Sequence, residues 1–104
     1  MTGQANRARG EAVLHVGGKA LVLRPTFQAL VAAEEELGPL FALVERAAAG
    51  ALRLSEMTVL FWHAVDMRPD WLTREALGEA VLAMGLAQAT PMLRAVLKQI
   101  LMGR

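Results

Sequence analysis

Cysteine is absent from this chain, which excludes disulfides and thiolate metal sites and fits a reducing cytoplasm. Histidine is scarce. His15 and His63 stand alone, and a metal or catalytic centre needs further converging ligands. Ser55, the single serine, is not in a nucleophile elbow. Gly17-Gly18 lacks the spaced glycines of a phosphate loop and joins two expected strands, not a strand and a helix. Glu34, Glu35 and Glu36 are consecutive, and consecutive residues on a helix point in different directions, which is unsuited to paired acid–base work. The expectation is a protein that is not an enzyme, with no catalytic residue, no cofactor and no metal.

Net charge is also nearly absent, at +1. No global field recruits nucleic acid, and no basic stripe with aromatic platforms is present. Long hydrophobic runs are missing too. The longest uncharged apolar stretch lies around Met57–Val65, well short of the ~20 residues a membrane span needs. The N-terminal charges have no apolar run behind them, so no signal peptide is expected.

The 104 residues that are there are 55% hydrophobic and 20% charged. That is one domain's length and too apolar for disorder, with a small core. Residues 1–9 read as a flexible N-terminal arm, either a solvated terminus or a binding arm. Residues 10–104 read as a single α+β domain, an N-terminal β-hairpin packed against four to five short helices.

Residues 10–38 organise the rest. Glu11–Val16 and Ala20–Arg24 are expected strands around a Gly17-Gly18 turn, since glycine supplies the positive φ of a two-residue hairpin loop. Val16 then faces Lys19, Leu14 faces Leu21, Ala12 faces Leu23 and Glu11 faces Arg24. Alternation puts Ala12, Leu14, Val16, Leu21 and Leu23 on one apolar face. A hairpin is marginal alone, so it packs on a helix or adds strands from another chain. Pro25 ends the second strand and Thr26 caps a helix over Phe27–Leu37. Its stripe is Phe27, Leu30, Val31 and Leu37, and Gly38-Pro39 stops it. Further helices are expected over Leu40–Ala49, over Glu56–Met67 capped by Ser55, from Thr73 to Met84, and from Thr90-Pro91 onward, with proline at the favoured first position.

Glu34 falls within the apolar stripe of its helix, and Glu34, Glu35 and Glu36 occupy a last turn where the dipole disfavours anions. Glu34 reaches solvent, pairs with Arg24 or another base, or meets a partner chain. An unpaired buried carboxylate would be costly. Residues 1–24 are basic and residues 25–56 acidic, so the two segments are expected to neutralise each other within one fold or between subunits. The helix around Trp62 is apolar almost all round, as central or partner-contacting helices are. Trp62 and Trp71 serve the core or an interface, as do the methionines. The candidate partner-binding residues are Glu34, Glu35, Glu36, Trp62, Met92 and Val96.

The stretches Asn6-Arg7-Ala8-Arg9-Gly10-Glu11, the hairpin around Gly17-Gly18, Leu23-Arg24-Pro25-Thr26, and Leu30–Gly38 resemble the small tail proteins of gene transfer agents and siphophage-like elements. That family is usually assigned to tail assembly chaperones and sometimes to a tail tube component. The match is best over residues 6–38 and rests on helix order beyond Leu40. The resemblance implies a non-enzymatic tail morphogenesis factor that binds tape measure or tail tube proteins in the bacterial cytoplasm. The alternatives are a structural tube component retained in the particle, and a small DNA-binding regulator using Arg7, Arg9 and the last helix. Homo-oligomerisation remains open. Neither a membrane nor nucleic acid is an expected partner.

Overall fold

The computed structural model describes residues 12–102. The expected N-terminal arm and the Glu11 end of the hairpin lie outside the described residues. A two-stranded antiparallel hairpin, β1 (Ala12–Val16) and β2 (Lys19–Leu23), is followed by five helices. These are α1 (Phe27–Leu37), α2 (Leu40–Ala48), α3 (Leu54–Ala64), α4 (Arg74–Met84) and α5 (Leu86–Met102).

The hairpin has the register its turn dictates: Val16 opposite Lys19, Leu14 opposite Leu21, Ala12 opposite Leu23. Gly17 and Gly18 both take positive φ, 58° and 80°, the requirement of a turn whose twist matches the strands. The face made by Ala12, Leu14, Val16, Leu21 and Leu23 is buried in the common core with Phe61, Leu77, Val81 and Val96. The hairpin thus packs directly on helices, with α4 and α5 against β1.

β2 gains a partner that the sequence did not advertise. The expected helix over Glu56–Met67 ends at Ala64, and the next residue, Val65, is extended beside β2. Val65 bridges Leu23. The Arg24 N–H donates to the Ala64 carbonyl at 2.6 Å, and the Asp66 N–H to the Val22 carbonyl at 2.8 Å. Arg24 and Asp66 close the junction with an ion pair, so Arg24 serves Asp66 and not Glu34. Strand-edge groups facing the interior need partners, and that demand outweighs three more residues of helix.

Two further boundaries and one helix face also differ. α3 starts at Leu54, one residue ahead of the expected Ser55 cap, because the Glu56 carboxylate reaches back to accept the Arg53 N–H at 3.0 Å, as a third-position acid can. The same carboxylate holds Arg46 of α2. α5 starts at Leu86 and runs through Pro91. Gly85 takes φ 88°, and the chain turns 117° there into the next helix; the N–H groups of Gln88 and Ala89 then find the Gly85 carbonyl. The stripe of α1 is rotated. Ala33 is its fully buried residue, while Phe27 is 82% exposed and Val31 37%. α1 packs chiefly on α3, and Ala33 is the residue it turns into the common core with Met57, Leu60 and Phe61 of α3. Thr26 and Thr73 cap α1 and α4 as expected, accepting from the Ala29 and Ala76 N–H groups at 3.2 and 3.0 Å.

Candidate partner-binding surface

The three consecutive glutamates meet three different fates. The Glu34 carboxylate is exposed and accepts the Leu40 N–H at 3.1 Å. It sits at the wrong end of α1 for the dipole and at the right end of α2. Glu35 is exposed. Glu36 receives Arg74 of α4 in a forked contact, Nη1 to Oε2 and Nη2 to Oε1, the latter at 2.9 Å. It also lies 2.8 Å from His63 Nε2 of α3. These donors, Arg74 first and His63 second, hold the Glu36 carboxyl at about 2 against an ordinary 4.5, while the desolvation that opposes them is weaker. In return the Arg74 guanidinium holds its proton more tightly than usual.

Trp62 of α3 is the platform beside this cluster. It packs partly against the core. Arg68 stands 4.6 Å and Arg74 5.3 Å from its ring centroid, the geometry of cation–π attraction. Arg68 also donates to the Trp62 carbonyl at 2.8 Å. The structure therefore brings Glu36 and Trp62 together through Arg74. It keeps Met92 and Val96 elsewhere: both belong to α5, where Val96 is fully buried in the core and Met92 is half-buried against it. Val96 has no surface to offer. The His63 side chain is only 14% exposed.

Other surface residues were not singled out by pattern. Phe27 and Phe41 are 82% and 75% exposed, on α1 and α2. Leu82 on α4 and Leu101 on α5 are also exposed. Apolar residues off the buried stripe were the available signal for Leu82 and Leu101. A groove of about 650 Å³ lies between α3 and α4, walled by Leu54, Val59 and Leu82 and floored by Thr58 and Gly78. The Arg74 and His63 contacts had no local signal, since they join residues 38 and 27 positions from Glu36.

Among the described residues, no three His, Cys, Asp or Glu side chains are grouped to hold a metal ion, and no single helix is long and apolar enough to cross a membrane. What the described surface offers is aromatic and aliphatic side chains in the open and charges fixed by pairing. This is a small α+β domain with exposed apolar side chains on its helices. The family model of the phage tail tube protein, GTA-gp10, matches residues 9–103, and the chain belongs to that family. It is a tail protein of the gene transfer agent or phage kind. No curated protein matches the chain, and no solved structure does. The family description is of a tube protein and not of an assembly chaperone.

Proposed function

We propose that the chain is a non-enzymatic structural component of a phage-like tail, retained in the particle and held there by contacts with other tail proteins. The observation that carries this reading is the family match across residues 9–103. Exposed Phe27 and Phe41 support it, because large aromatic residues are favoured anchors of protein contacts. Residues 10–104 act as one unit in this role and residues 1–9 as an arm. Glu34 and Glu35, exposed at the end of α1, form a partner-facing acidic edge. Glu36 belongs to the fold first, through Arg74.

Quantitative mass spectrometry of purified particles tests the proposal. A structural component is present in a constant ratio to the other tail proteins. The second reading, an assembly chaperone for the tape measure protein, is favoured by the open apolar groove between α3 and α4, which suits a helix in transit. It requires the chain to be captured with the tape measure protein in producing cells and to be missing from finished particles.

A further inference from the structure

α4 and α5 present two faces with the same spacing and opposite charge. On α4, Glu75, Gly78, Glu79 and Leu82 line the groove against α3. On α5, Arg94, Leu97, Lys98 and Leu101 line a second groove, of about 450 Å³, against α2. In both sets the charged residues are four apart and the last leucine follows three later, so each set forms one stripe about 10 Å long on its helix. Glu75, Glu79, Arg94 and Lys98 are all exposed. None of them shares in the ion pairs found among the described residues, which join Arg24 to Asp66, Arg46 to Glu56, and His63 and Arg74 to Glu36. Leu82 and Leu101 are 66% and 53% exposed.

We propose that the acid-rimmed groove between α3 and α4 of one copy receives the basic face of α5 of a second copy. Laid in the same direction, the stripes pair position by position. Glu75 meets Arg94, Glu79 meets Lys98, the bare backbone of Gly78 leaves a hollow for Leu97, and Leu82 meets Leu101. The two faces are different patches of one molecule, so the contact is head-to-tail and leaves the pair with one free face of each kind, the α5 face on one copy and the groove on the other. Such contacts propagate into rings or filaments instead of stopping at a dimer. The occupant is inferred to be this chain because the complementary charge pattern is its own. The argument stands on the two stripes and not on the functional reading.

Sedimentation of the purified full chain at low salt, up to about 1 mM, provides the test. The wild type is expected to associate, and to dissociate as salt screens the pairs. Glu75→Lys with Glu79→Lys, or Arg94→Glu with Lys98→Glu, should each weaken association by about tenfold or more. Mixing the two reversed variants, or combining all four changes in one chain, should restore it. Gly78→Leu supplies a block without a charge change. A Cβ at Gly78 meets the Thr58 side chain at no less than 3.6 Å, so the first carbon enters at ordinary contact distance, and the variant's melting temperature checks the rest of the side chain. Unchanged melting temperatures of the variants separate lost contact from lost folding.

A wild type that stays monomeric overturns the proposal. So does association that survives both reversals, or that fails to return on mixing. A chain that is stoichiometric in particles yet monomeric alone sinks only this contact. A chain that associates through these faces yet is missing from particles sinks only the structural reading.

Discussion

The chain carries two acidic segments on helices, and they differ in what their charge is used for. At the end of α1, Glu34 closes the start of α2 and Glu36 is forked by Arg74 and approached by His63. At the start of α4, Glu75 and Glu79 are exposed and stand outside every ion pair among the described residues. The first segment looks more like a docking patch in sequence, with three acids in a row. In space it is the more internally committed of the two. A run of like charge says little about availability. What decides it is whether a base on another element arrives at the same place.

If that distinction is right, disturbing the first segment unsettles the fold and disturbing the second does not. The largest effect is expected from Trp62→Ala, which removes a half-buried ring and the platform under Arg68 and Arg74. It should destabilise the domain by about 2 kcal/mol in chemical denaturation. It should also let the Glu36 carboxyl drift back toward 4.5, as followed by NMR titration. Arg74→Ala comes next. The exposed ion pair contributes little by itself once solvent screening is allowed for, and the cation–π contact adds a similar amount, so a loss of about 1 kcal/mol is expected. A Glu36 that still titrates near 2 in this variant would show that His63 alone suffices.

The third disturbance is pH. Glu36 is ionised in the fold down to about 2, while an unperturbed carboxyl takes its proton at 4.5. A depressed carboxyl stabilises the fold fully above 4.5, and that contribution is lost as pH falls through about 2. Denaturation curves of the wild type and Glu36→Gln should therefore differ at neutral pH and converge in strong acid. Curves that differ by the same amount at pH 7 and below pH 2 would mean that the pairing with Arg74 is not the cause.

Much of this architecture is legible in the sequence, and the parts that are not share a cause. The hairpin register follows from Gly17-Gly18 because a two-residue loop allows one pairing. The starts of α1 and α4 follow from Thr26 and Thr73, whose hydroxyls act within three residues. The inward residues Met57, Leu60, Phe61, Leu77 and Val81 follow from helical spacing and are buried. The misses come from distance. α3 stops at Ala64 because β2, some forty residues earlier, has an edge to satisfy. α5 is the exception and has a local cause: it starts ahead of Pro91 because α4 ends in a sharp turn at Gly85 that already offers a carbonyl to the next helix. Phe27 faces out because α1 meets α3 through Ala33. At the candidate surface the glutamates could be picked out by type, but their partners Arg74 and His63 could not. Val96 has the spacing of a core residue and is one, so apolar character on the last helix did not by itself mark a contact surface.

The smallest expected effect is the sharpest test of the comparison. Glu75→Gln with Glu79→Gln removes both charges from α4 and keeps the side-chain bulk. Glu75 lies in the first turn, where an anion gains a little from the helix dipole, and Glu79 has no ion-pair partner among the described residues to lose. The pair of changes should cost no more than about 0.5 kcal/mol in the isolated domain, less than Arg74→Ala alone. If the cost instead equals or exceeds that of Arg74→Ala, then α4 uses its carboxylates to hold the monomer together. The two acidic segments would then be alike in kind, and the α4 stripe would be no freer for a partner than Glu36 is.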